Sequence, residues 1–120
     1  MWQVDPMLNL LAKAVDVAAL RQSVHASNVA NADVAGYRRL EVQFAPELTA
    51  AVEGRALDAR GMNAAATQIP ELVPSTDSQV HLDQEMAQMS QNALRYQALL
   101  SAFEKTISVL RYAAREGREG

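Results

Sequence analysis

Apolar residues recur at helical spacing near both ends of the chain and lose that rhythm between them. Asp5-Pro6 suits a helix start, with a carboxylate at the N-cap and a proline at the first helical position. Beyond it Leu8, Leu11, Val15 and Ala18 step by three and four. Leu10, Val17, Leu20 and Val24 form a second stripe, so the helix is expected to be covered on more than one side. It is predicted to run to about Asn31, and Gly36 then gives the freedom to turn the chain away. The C-terminal pattern is stronger. Met86, Met89, Ala93, Tyr96, Leu100, Phe103, Ile107, Leu110 and Ala114 alternate steps of three and four, as in a heptad seam. Asp83 is the expected N-cap, Glu85 in the first turn suits the helix dipole, and Gly117 is expected to end the helix.

The middle reads differently. Leu40, Val42 and Phe44 alternate with Arg39, Glu41 and Gln43, which predicts a short extended segment with one buried face. Pro46 is expected to open a brief helix through Leu48 and Val52. From Glu53 to Ser78 the apolar residues have no period, and Gly54, Gly61, Pro70 and Pro74 interrupt any regular element, so an irregular loop is expected. The organisation predicted is therefore a helix and Asn-rich turn over 1–36, an irregular middle over 37–79, and a heptad helix over 80–120.

The two terminal helices are each other's obvious partner. The fold class expected is all-α, with long N- and C-terminal helices paired as a coiled-coil-like hairpin around a partly extended middle. Such a pair leaves Leu94, Leu99, Val109 and the second N-terminal stripe uncovered. Burying a Leu or Val is worth roughly 1.5–3 kcal/mol, so several uncovered ones favour self-association.

Composition narrows the function. Hydrophobic residues make up 49% of the chain, but only one Trp and two Phe are among them, which suits long alanine-rich helices with a thin core. Eleven Lys and Arg against fourteen Asp and Glu cannot build the broad basic face that nucleic acid requires. With no Cys, disulfides and thiolate metal sites are excluded. No apolar run has the length of a membrane span, and the first residues show neither a basic n-region nor an apolar h-region.

Candidate chemistry is sparse. His25 and His81 have no second ligand at metal spacing, and each reads as a solvated residue. Ser23, His25 and Asp33 lack the nucleophile elbow that a hydrolase needs, and no phosphate-binding glycine loop is present. No cofactor and no small-molecule substrate are therefore expected. Arg38 and Arg39 read as a solvated turn. Met86 and Met89 fall in the seam and read as core. Asn28 and Asn31 differ from these. They share a helix face, are surrounded by Ala26, Ser27, Ala30 and Ala32, and can bond the backbone of the following turn. A packing or assembly role is expected for them.

The residues from Ala26 to Arg38 (Ala-Ser-Asn-Val-Ala-Asn-Ala-Asp-Val-Ala-Gly-Tyr-Arg) resemble the signature of the bacterial flagellar axial proteins, A-S-N-[IV]-A-N-A-[DN]-T-P-G-Y-[KR]. The chain departs from it at Val34-Ala35, where the family carries Thr-Pro. Paired terminal helices with a variable centre are also a family feature. The short length, and Val80-x-Leu82-Asp83-x-Glu85-Met86 with Asn92 and Tyr96, resemble the proximal rod proteins of the FlgB type more than the FlgC type. The resemblance implies a structural subunit of the flagellar basal body that assembles helically into the rod and transmits motor torque. Its implied partners are copies of itself, other rod proteins, the ring–rod adaptor and the export gate. The implied location is the periplasmic space, reached by flagellar type III export without a cleaved signal. The implied assembly and packing residues are Leu8, Leu11, Val15, Asn28, Asn31, Gly36, Tyr37, Met86, Met89, Tyr96, Leu100, Phe103, Ile107 and Leu110. The alternative is a cytosolic helical-hairpin adaptor or chaperone that binds partner helices through the same seam.

Overall fold

A computed structural model describes residues 5–44 and 58–119, with side chains up to residue 117. Helix α1, Pro6–Ala30, starts as the sequence dictates, with Asp5 Oδ1 accepting from the Met7 N–H at 2.7 Å. Helix α3, Leu82–Glu119, is the long element at the other end. The two lie antiparallel: His25 and Asn28, near the end of α1, meet Glu85 at the start of α3, while Ala18 meets Asn92. The molecule is a rod of 65 × 23 × 23 Å. Among the described residues no helix is long and apolar enough to cross a membrane.

Between the helices the chain is more regular than its composition suggests. Strand β1, Leu40–Gln43, pairs antiparallel with β2, Glu71–Pro74, in the register Leu40↔Pro74 and Val42↔Leu72. Val42 is buried, and Phe44, just past the strand, packs on the core. Helix α2, Ala59–Ala66, lies against α1. The loop expected over this stretch is thus replaced by a helix and a strand. Gly61 costs α2 about 1 kcal/mol, but Asp58 caps its first turn through the Gly61 N–H at 2.8 Å and Ala65 is wholly buried in the core. The brief helix expected from Pro46 lies outside the described residues.

The core is turned relative to the expected stripes. Leu10, Ala14, Val17 and Ala18 of α1 meet Ala65 of α2 and Leu99 of α3, with Leu11, Val15, Met62 and Tyr96 around them. The line facing inward on α1 therefore runs through Leu10, Ala14, Val17, Val24 and Asn28, and Leu8, Leu11 and Val15 flank it, half-buried. On α3 the deepest positions are Glu85, Asn92 and Leu99, one residue before the expected Met86, Ala93 and Leu100. Met89, Tyr96, Phe103 and Leu110 remain on the inner side, with Leu100 and Ile107 half-buried beside them. Met86 is 48% exposed and is not core. Leu99 and, in the second α1 stripe, Leu10, Val17 and Val24 are buried although expected to be uncovered, whereas Leu20, Leu94 and Val109 are exposed as expected. Polar residues at inward positions explain the shift, because a hydrophobic count passes over Glu85, Asn92 and Asn28.

Both helix ends of α3 also differ from expectation. Asp83 lies inside the first turn rather than at the cap, and the helix continues through Gly117 to Glu119.

Candidate functional site

Where α1, β1 and α3 meet, the chain buries a carboxylate and surrounds it with donors. Glu85 is 2% exposed and Asn28 fully buried. The Glu85 oxygens accept from Arg39 Nε at 2.7 Å and Asn28 Nδ2 at 2.9 Å, and one lies 2.6 Å from His25 Nδ1. Arg39 spreads its remaining donors to Ser75 Oγ at 2.8 Å and Gln88 Oε1 at 3.2 Å. One guanidinium thus ties the sheet to α3.

Asn28 does a second job. Its Oδ1 accepts from the Leu40 N–H at 3.0 Å and its Nδ2 donates to the Leu40 carbonyl at 2.8 Å. A side-chain amide on α1 therefore takes the place of a neighbouring strand at the free edge of β1, satisfying a backbone donor and acceptor together. Tyr37 O–H donates to the same Oδ1 at 2.7 Å. The turn that brings Tyr37 there needs Gly36, which has φ +79°, a conformation costly for residues with a Cβ. No atom lies within 4 Å of where that Cβ would sit, so the backbone angle and not crowding selects glycine. Asn31 acts elsewhere: its Nδ2 bonds back to the Ser27 carbonyl at 2.8 Å and does not reach the following strand.

Burial alone would raise the Glu85 pKa. The hydrogen bonds from Arg39, Asn28 and His25, with the Arg39 charge, outweigh it and hold the carboxyl below its ordinary value. The group is thus a committed anion with its acceptor sites engaged, which suits a structural latch rather than proton transfer.

Three of these residues depart from the sequence expectation. Arg39 is no solvated turn residue, its side chain being only 16% exposed, although Arg38 beside it is exposed. His25 is partly buried against Glu85 rather than solvated, and it directs Nδ1 to that carboxylate. Glu85 does more than suit the helix dipole. The signal for it is its heptad spacing to Asn92 and Leu99, which puts all three on one line of α3. Asn92 itself donates to the Ala18 carbonyl at 2.8 Å and Gln22 Oε1 at 2.9 Å, while its buried Oδ1 has no partner among the described residues. Of the Ser23, His25 and Asp33 set, Ser23 borders an apolar groove with Ala19, Ala26, Ala93 and Tyr96, and His25 faces Glu85. Among the described residues no three His, Asp or Glu side chains gather as a metal site.

The molecule is thus a rod-shaped hairpin locked at one end by a buried latch. A family profile described as "Flagella basal body rod protein" matches residues 8–38, which span α1, the turn and Tyr37. The flagellar basal body rod protein FlgB of Escherichia coli K12 is 31% identical over 88% of this chain and 90% of its own length. The chain belongs to the flagellar basal body rod protein family. FlgB of Yersinia enterocolitica is 28% identical, over 96% of this chain and 98% of the relative. FlgB of Salmonella typhimurium is 30% identical, over 79% and 83%. This rod protein is accordingly of the FlgB type, a structural subunit of the flagellar basal body that assembles with itself and with other rod components. That membership decides against the cytosolic adaptor.

Proposed function

We propose that this chain is a non-catalytic subunit of the proximal rod, packed helically so that the shaft carries motor torque outward. One observation carries this reading: the side of α3 turned away from α1 is studded with uncovered apolar residues. Leu94, Val109 and Tyr112 are 70%, 62% and 64% exposed. At 3.6 residues per turn they fall with Ala98 on one outer face. A shaft under torque needs subunits that do not slide internally, and the Glu85–Arg39–Asn28 latch joins α1, β1 and α3 at one end of the hairpin. Neighbours in this reading are copies of itself, other rod proteins, the ring–rod adaptor and the export gate. The subunit reaches the periplasmic space by flagellar type III export with no signal removed. It takes no nucleic acid and no small-molecule substrate.

Deleting the gene should leave a membrane ring without a rod, visible in isolated basal bodies by electron microscopy and restored by the wild-type chain. Complete rods in the deletion strain would refute the assignment.

A further inference from the structure

Strand β1 has one edge paired and the other only partly satisfied. In an antiparallel pair, residues that exchange backbone bonds alternate with residues that do not. The Ser75 N–H donates to the Arg39 carbonyl at 2.8 Å, so Glu41 and Gln43 also turn their backbone groups to β2. Leu40 and Val42 turn theirs to the opposite edge. Pro74, which stands opposite Leu40, has no N–H to offer and fits this phase. Asn28 holds the Leu40 N–H and carbonyl. One step along the same edge, the Val42 N–H and carbonyl have no partner among the described residues, although Val42 is only 8% exposed.

That edge position borders a cavity of about 250 Å³ between α1, β1 and α3. Among its described lining residues are Arg21, Arg39 and Arg95, with Glu41 as the one carboxylate. Arg21 lies over the Phe44 ring, 4.6 Å from its centroid, and Arg39 serves the latch. Arg95 is half-buried and makes no ion pair or hydrogen bond among the described residues. Asn92 lines the same cavity, and its buried Oδ1 lacks a donor.

These unmet groups define a ligand. The Val42 pair calls for an N–H and a carbonyl together, which an extended chain supplies when it adds to a strand edge. The Asn92 oxygen calls for a further N–H, which an inorganic anion does not carry. Arg95 calls for an anion, and the anion a peptide brings is a carboxylate. A helix, about 10 Å across, does not fit this volume, whereas one acidic residue of an extended segment does. We propose that the cavity is a socket for an extended acidic segment of a neighbouring rod subunit, with one residue pairing to Val42 and its carboxylate bound by Arg95. The socket rests on the rod-assembly reading for the identity of the neighbour, while its peptide chemistry follows from the cavity alone.

Two blocked peptides, acetyl-Val-Glu-Val-amide and acetyl-Val-Gln-Val-amide, probe it by NMR titration of the isotope-labelled full chain at fixed pH. The glutamate peptide should shift the Val42 amide resonance and bind about tenfold tighter than the glutamine peptide, the difference made by one charge-assisted hydrogen bond. Arg95→Gln should abolish that preference with the helical circular dichroism retained, and Arg95→Lys should keep part of it. Arg115→Gln, at an exposed position near the end of α3, should leave it unchanged. In cells, Arg95→Glu should be secreted yet absent from rods and non-motile. No shift at Val42 with either peptide would overturn the socket, and equal binding of the two would remove Arg95 from it and overturn the acidic ligand. Normal swimming by Arg95→Glu would show that the occupant is not a rod subunit and overturn the proposal on that ground. Complete rods in the gene-deletion strain would refute the rod reading, and with it the neighbour, while peptide binding at Val42 would still report the socket.

Discussion

At the scale of single residues, the latch makes Glu85 and Asn28 the side chains on which the hairpin end depends. Glu85→Gln keeps the shape and removes the charge, leaving the Arg39 guanidinium part-buried against a neutral amide. Removing one partner of a buried pair costs about 3–5 kcal/mol, so denaturant titration should show a loss of that order. The acid limb gives a second readout. Because the folded pKa is depressed, the unfolded chain binds more protons at Glu85 between that value and the ordinary glutamate value of about 4.3. Stability from this group is therefore complete above the ordinary value, falls as pH drops through the window, and is lost below the folded pKa. Glu85→Gln should flatten that part of the stability–pH curve, and an unchanged acid limb would remove Glu85 from the account. Asn28→Ala strips the Leu40 N–H and carbonyl of their side-chain partner and leaves the Tyr37 hydroxyl only Ser27 Oγ, at 3.4 Å. Each orphaned group costs about 1–3 kcal/mol, whereas Asn31→Ala breaks one bond to a helix carbonyl and should cost about 1 kcal/mol or less. Equal losses for the two asparagines, measured by the same titration, would contradict the edge-pairing geometry.

At the scale of elements, α1, the extended stretch at β1 and the long C-terminal helix are legible because apolar spacing and the Asp5-Pro6 start are local signals. The rotation of each helix is not. Both inward lines include polar residues, Asn28 on α1 and Glu85 and Asn92 on α3, and their burial depends on partners that are far away in sequence. Glu85 lies 57 residues from Asn28 and 46 from Arg39, so no window of one helix reveals why a carboxylate sits inside. For α2 and β2 the obstacle is different. Gly61 and Pro74 look like breakers, yet a short helix tolerates one glycine when its cap and core contacts suffice, and Pro74 ends its strand. Asn28 is legible as a packing residue, but its target is not. The course of α3 through Gly117 leads to a prediction. A Cβ added at this glycine would meet no atom within 4 Å, so Gly117→Ala should strengthen the terminal turns. The gain expected is about 0.5–1 kcal/mol of local stability, seen as slower amide exchange near that end. A helix that truly ended at Gly117 would show no such gain.

At the scale of the whole molecule, the inner and outer sides of α3 serve different ends, and two substitutions separate them. Phe103 is half-buried on the inner side near Tyr96 and Leu99, so Phe103→Asp puts a charge into the hairpin seam. An unpaired buried charge costs several kcal/mol, comparable to the stability of a small domain, and this variant should unfold at low denaturant and leave cells non-motile. Leu94 is 70% exposed on the outer side, where a substitution in the isolated chain should change stability by no more than about 0.5 kcal/mol. In a packed rod the same aspartate would face a neighbour's apolar surface without a counter-charge. Leu94→Asp should therefore match the wild-type unfolding curve and be secreted normally, yet fail to enter the rod and abolish swimming. The paired measurements are denaturant unfolding of the purified chain, secretion into the medium, and motility in soft agar. Full motility in Leu94→Asp would show that the outer ridge of α3 is not where subunits meet. Destabilisation of the isolated chain as severe as that of Phe103→Asp would show instead that Leu94 belongs to the fold, and the division between inner and outer sides would be wrong.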